Sequence, residues 1–338
     1  MEKVTVIGFK NSGKTCYLAG MYDTMSMGVK SFSLVEKDSD QDWYLQNLWE
    51  KISYGSSRTW PVPNDDKRTY SFSLCHSFDR IMEFEWLDYP GGALVDPGYN
   101  LIDEIKNQLS ESACLLVLVN GESFAYEGNP ADKKKIMVGD LDEYKSIVSR
   151  NLKRNKDLEA VRQLTRIGAN DVALPPIGVV VTKSDLIDDT WAPHVQEIIH
   201  ENFESIFGES GEDERIVMLA AVTLGDGIQD GADADPVDIE LPIAFAVLSI
   251  LRKYIVAARV LKANSEAELS EKDKALIRVF KSDQIKKLRE EISGLNNVIE
   301  KLSRDAIRLL DLFGENKPIY INGEKQNFCK YFRELLKM

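Results

Sequence analysis

Gly8-Phe9-Lys10-Asn11-Ser12-Gly13-Lys14-Thr15 fits the pattern GxxxxGK[ST] at every fixed position. The apolar run Val4–Ile7 before it reads as a buried strand, and Thr15 to Met27 after it reads as a helix. A glycine-bounded loop between a strand and a helix can turn its backbone N–H groups inward to cradle phosphates. Glycine permits positive φ and leaves no Cβ in the way. The positive end of the following helix faces the same anion. Lys14 is placed to reach the β- and γ-phosphates, and the Thr15 hydroxyl to ligate Mg²⁺. The phosphate-binding candidates are Gly8, Lys10, Asn11, Ser12, Gly13, Lys14, Thr15 and Cys16.

Working outward, Tyr70, Phe72 and Leu74 alternate, as do Met82, Phe84 and Trp86; with the short Ser77–Arg80 link they predict an antiparallel strand pair. The second strand ends in Asp88-Tyr89-Pro90-Gly91, a DxxG. An aspartate there can hold Mg²⁺ through water, and the Gly91 N–H can meet a γ-phosphate. Gly92 follows, where a glutamine would orient an attacking water, so hydrolysis is expected to be slow or to need another group. Arg58 is a candidate arginine finger in cis, against the plainer reading of a solvated loop arginine. Thr59 is the first choice for a first-switch ligand of Mg²⁺ and γ-phosphate, with Ser56, Ser57 and Thr69 as competitors. The segment 31–68 otherwise reads as polar and irregular, with one helical patch near Trp43–Ile52.

Further along, Ala113–Val119, Ile177–Val181 and Ile216–Ala220 read as buried strands separated by helical patterns. Strands alternating with helices indicate an α/β domain with a mostly parallel sheet, made mixed by the antiparallel pair. Thr182-Lys183-Ser184-Asp185 follows the second of these strands and fits [NT]KxD. Asp185 can accept hydrogen bonds from guanine N1–H and the 2-amino group, a pattern adenine lacks. Lys183 would lie over the base, and Ala220-Ala221 stands where a loop amide meets guanine O6.

The motifs GFKNSGKT, DYPGG, TKSD and LAAVT stand in the order found in Ras-like P-loop GTPases, so the chain resembles the translation-factor-related (TRAFAC) class over about residues 1–260. KTCYLAGMY and the Trp60-Pro61 segment are similar to bacterial small GTPases linked to conflict and defence gene systems; that group often has threonine where this chain has Asn64. The resemblance implies GTP and GDP as ligands, Mg²⁺ as cofactor, and a switch read by a protein effector or regulator. A GTP-binding scaffold with negligible turnover is the alternative, and an ATPase or small-molecule kinase a third reading that Asp185 opposes.

The chain has 338 residues, 43% hydrophobic and 29% charged, enough for a large packed core. A net charge of −13 argues against nucleic acid or anionic membrane as partner. Four cysteines without a CxxC pair and three histidines without ligand spacing argue against a disulfide framework or zinc site. Neither a signal peptide nor a membrane span is expected, and the expected location is the cytoplasm. The expected division is a G domain over 1–262 and a helical extension over 263–338. In the extension, Ile285, Leu288, Ile292, Leu295, Ile299, Leu302, Ala306, Leu309 and Phe313 form a heptad seam, helical over about 283–313. That seam predicts either a homodimer or packing on the helix expected at Ile243–Leu261. Asn322-Gly323 predicts a small hairpin, and Phe328–Leu336 a closing helix.

Overall fold

The computed structural model describes every residue except 10, 63–65, 97, 99–100, 129–133, 170–173, 209–213, 275–281, 316 and 338; side chains are described for the same residues less 56, 169, 272–274 and 282. Among the described residues the elements run β1 (Glu2–Gly8), α1 (Lys14–Met27), β2 (Phe32–Glu36), α2 (Ser39–Ser53), β3 (Arg68–His76), β4 (Asp79–Asp88), α3 (Ile102–Glu111) and β5 (Ser112–Asn120). They continue with α4 (Glu122–Ala125), α5 (Leu141–Arg154), α6 (Asp157–Ala169), β6 (Ile177–Thr182), α7 (Val195–Asn202), α8 (Glu204–Phe207) and β7 (Ile216–Ala221). The last are α9 (Leu241–Lys274), α10 (Ser282–Leu310), β8 (Pro318–Ile321), β9 (Glu324–Asn327) and α11 (Phe328–Lys337).

One sheet runs in the order β2-β3-β4-β1-β5-β6-β7-β8-β9. Its middle, β4 to β7, is parallel, and both flanks are antiparallel. Strands covered on both faces need apolar side chains in both directions, which is why β5 and β6 read as continuous apolar runs and are buried throughout. One face packs α1, α9, α10 and α11, through residues such as Leu18, Phe245, Leu309 and Phe328. The other packs α3 and α5 to α8, through Leu109, Tyr144, Leu164, Ile198 and Phe207.

Three expectations change. The segment 31–68 contains an ordered edge strand, β2, which pairs antiparallel with β3 from Phe32 opposite His76 to Glu36 opposite Phe72. The tail beyond 262 is no separate extension: the boundary falls inside α9, and β8 pairs with β7 and carries β9, so the tail completes the sheet. The helix bearing the heptad seam ends at Leu310 and lies along α9 of the same chain, one of the two packings expected. Ile285, Leu288, Ala306 and Leu309 of the seam are buried, and Ser265 of α9 donates to Glu291 Oε1 at 3.3 Å across the pair. The stretch Leu241–Glu271 is long and apolar enough to cross a membrane, contrary to the expectation that no segment is, but 72% of its apolar window is buried inside the protein.

Candidate functional site

The carboxyl ends of β1, β4, β5, β6 and β7 open on one edge of the sheet, where open α/β sheets place their ligands. The loop after β1 is shaped by its glycines. A Cβ on Gly8 would lie 2.5 Å from Ser12 Oγ, and Gly13 sits at φ 70°. Asn11 also adopts positive φ, at 60°. Helix α1 begins at Lys14 with no side chain capping its first turn, so its leading N–H groups are left for an anion. Lys10 lies outside the described residues.

Lys14 Nζ donates to Asp88 Oδ1 at the end of β4, and both side chains are buried. Burial pushes the Asp88 carboxyl above its usual range, while Lys14 draws it back. A second hydrogen bond fixes this turn to the phosphate loop: Gly92 N–H donates to Gly8 O at 3.2 Å. Gly92 sits at φ 88° with open space where a side chain would start, so no group from this position reaches the pocket.

The base-side motif is tied to the same loop. Thr182 Oγ1 donates to Ser12 O at 2.6 Å. Lys183, at φ 53°, donates from Nζ to Asn11 O at 3.2 Å and to Glu122 Oε1 at 3.0 Å. Thr223 Oγ1 donates to Asp185 Oδ1 at 2.6 Å, which fixes the carboxylate. Burial raises the Asp185 carboxyl, and the Thr223 bond offsets part of this. A cavity of about 650 Å³ is lined together by Ser12 to Cys16, Gly91, Thr182, Lys183 and Asp185. That volume suits a nucleotide-sized ligand. Burial pushes the Cys16 thiol up to about 11, so it stands there as a thiol.

A smaller cavity of about 370 Å³ is lined by Thr15, Thr59 and Asp88, with Trp60 to Val62 shared between the two. Two hydroxyls and a carboxylate are hard oxygen donors, and this set fits Mg²⁺. Thr59 is held there by its N–H donating to Lys51 O at 2.8 Å. Of its competitors, Ser57 and Thr69 are exposed as Thr59 is, but neither lines this cavity, Thr69 standing in β3 opposite Leu87, and the Ser56 side chain lies outside the described ones.

Two expected placements are corrected. Arg58 lines neither cavity. Its guanidinium donates to the carbonyls of Ile52 (2.7 Å), Ala232 (2.5 Å) and Ile228. Ala220 packs in the core and Ala221 is exposed, and neither lines the cavity; Val222, Thr223 and Leu224 do. Residues not anticipated are Glu122, Trp60 to Val62, Ile228 and Gln229. Glu122 stood within reach of sequence reading, because it follows the end of a parallel strand, β5, at Gly121. A Cβ on Gly121 would lie 2.3 Å from Thr182 O, so only glycine lets that turn approach β6.

The family model of Double-GTPase 2 matches residues 2–234. No curated protein matches the chain. Among solved structures, similarity extends to translation elongation factor SelB from Methanococcus maripaludis, at 11% identity and TM-score 0.31 over 68% of this chain and 31% of that one. The S. cerevisiae Ski7 GTPase-like domain, bound to GTP, gives 12% identity and TM-score 0.36 over 65% of this chain and 42% of that one. The signal recognition particle receptor SRb-GTP/SRX complex from Chaetomium thermophilum gives 16% and 0.32 over 67% and 93%. The chain thus spans about a third of the SelB length, and its assignment rests on the family match. With the phosphate loop, DxxG and TKSD converging on one cavity, the chain belongs to the Double-GTPase 2 family and is a Ras-like P-loop GTP-binding protein.

Proposed function

We propose that this protein binds GTP with Mg²⁺ and hydrolyses it slowly to GDP and phosphate, working as a nucleotide-dependent switch. The observation that carries the reading is that Lys14 and Asp185, far apart in sequence, line one cavity, with Thr182 and Lys183 hydrogen-bonded to the phosphate loop itself. A ligand reaching both ends must carry phosphates at one and a purine at the other. Asp185, held by Thr223, selects guanine by accepting two hydrogen bonds. Lys14 gains a phosphate partner in addition to Asp88, and the N–H groups opening α1 bind the same anion. Thr15, Asp88 and Thr59 would hold Mg²⁺, which when bound neutralises charge on the β- and γ-phosphates. The segment carrying Thr59 and the turn at Gly91 both border the phosphate end, so both feel the loss of the γ-phosphate.

Gly92 offers no side chain for the attacking water, and Arg58 is held by three carbonyls. These two observations favour a second reading, a GTP-binding scaffold with negligible turnover. Purified protein with Mg²⁺ and GTP, followed for phosphate release over hours, separates the readings. We expect turnover on the order of 10⁻⁴ to 10⁻² per second and none from Lys14→Ala. Tight GTP binding with release no faster than in that variant favours the scaffold. In the same protein, Asp185→Asn is expected to weaken GTP binding and improve xanthosine triphosphate binding, because an amide donates to the xanthine 2-oxo group. Equal affinity of the native chain for ATP and GTP would overturn the guanine assignment.

A further inference from the structure

Arg58 is anchored by backbone carbonyls rather than by another side chain. It lies between two segments that both line the nucleotide cavity: the strap Trp60-Pro61-Val62, and the turn after β7 that carries Ile228 and Gln229. Its Nη groups donate to Ile228 O and, at 2.5 Å, to Ala232 O on the turn, while Nε donates to Ile52 O at 2.7 Å at the end of α2. The guanidinium stands 5.4 Å from the Trp60 ring centroid, within cation–π range. Two further bonds join the same partners. Gly55 N–H donates to Asp233 Oδ1 at 2.8 Å, and Ala234 N–H to Ser53 O at 2.8 Å. The approach is close enough that a Cβ on Gly55 would fall 1.8 Å from Gly231 O. The turn reaches back through Gly227 and Gly231, both at positive φ.

We infer that this clasp is a positioning device for the nucleotide: Arg58 holds the strap against the base-side turn, so that the bound guanine nucleotide leaves only after the two part. The inference rests on the nucleotide reading given above and deepens it. Three carbonyls fixed by one cation make the clasp specific to arginine, because a lysine ammonium cannot present donors in that planar fork. The strap also borders the smaller cavity with Thr15, Thr59 and Asp88, so the clasp couples the base end of the site to the phosphate end. A guanine nucleotide contacting Ile228 or Gln229 thereby biases the position of Thr59, and a partner that opens the clasp from outside acts as an exchange stimulus.

The test uses the full chain and a fluorescently labelled GDP, with association and dissociation measured separately. Arg58→Ala is expected to speed dissociation by about tenfold or more, the scale of losing charge-assisted hydrogen bonds, with association changed little. Gly55→Ala, which jams the clasp from the other side, is expected to do the same, and Arg58→Lys to recover only part. Asp233→Ala removes an exposed partner that no core packing depends on, and is expected to speed release to a smaller degree. A merely structural arginine would lower thermal stability and leave the dissociation rate of the folded fraction unchanged; that result overturns the inference. So does acceleration in Arg58→Ala that Gly55→Ala and Asp233→Ala do not share. Failure of the native chain to bind labelled GDP at all, with Lys14→Ala equally silent, instead removes the nucleotide reading and the inference with it.

Discussion

Asp157, in the first turn of α6, is 1% exposed, and its Oδ2 is buried without a hydrogen-bond partner. Burial alone pushes its carboxyl up to about 7. The folded value lies above the unfolded one of about 4, so the group's contribution to stability is full below about pH 4 and is lost as the pH rises through about 7. Asp157→Asn removes the charge but keeps the shape. It is expected to stabilise the protein at pH 8 by roughly 1–3 kcal/mol, with the gain shrinking towards pH 4. Urea unfolding at both pH values checks this, and a gain independent of pH refutes it. Residues like Lys14, Thr15, Asp88 and Asp185 were legible in the sequence because their side-chain chemistry sits at fixed spacing behind buried strands. The part played by Arg58 was not, because its acceptors are backbone carbonyls, which every residue carries and no motif marks.

At the scale of elements, the buried parallel strands announce themselves as apolar runs, whereas β2 escapes because its pattern ends in a charge. Phe32, Leu34 and Glu36 point inward, and Glu36 reads as surface. In the fold its Oε1 accepts the N–H groups of Lys37 (2.9 Å), Asp38 (3.1 Å) and Ser71 (3.2 Å), which makes burial tolerable at the strand's end. The heptad seam was legible as a seam, but its spacing is the same whether the partner helix comes from another chain or from this one. The fold answers with α9, so seam substitutions should act on stability and not on assembly. Leu309, fully buried, is expected to cost about 2–5 kcal/mol when changed to alanine, and Leu288→Asp to lower the melting temperature as well. Light scattering should give both variants the mass of the native protein; a fall in mass would assign the seam to an interface between chains.

For the molecule as a whole, the consequence of the nine-stranded sheet is that its end cannot be removed. Strand β8 covers the edge of β7 from Ile216 to Met218, and behind it Phe328 packs on Phe313 with ring centroids 4.1 Å apart and on Phe245 of α9 at 6.2 Å. Ile319, Phe328 and Phe332 belong to the same core cluster as Val4, Val6 and Leu18, which flank the phosphate loop. A chain stopped at Leu261 therefore loses part of the core of the GTP-binding fold and exposes a strand edge. It is expected to be insoluble or to lose its cooperative melting transition. The distal part of the α9–α10 pair behaves differently. Ile285 and Leu288 are buried but lie outside that core cluster, and Ile292 and Leu295 are only half-buried. Replacing residues 263–293 by a short glycine-serine link, near the level where Ser265 meets Glu291, is expected to leave a folded protein that retains labelled GDP. Circular dichroism melts and nucleotide retention measured on the two variants side by side decide the matter. If the chain ending at Leu261 melted as cooperatively as the native one, β8, β9 and α11 would be an appendage, and the sheet would end functionally at β7.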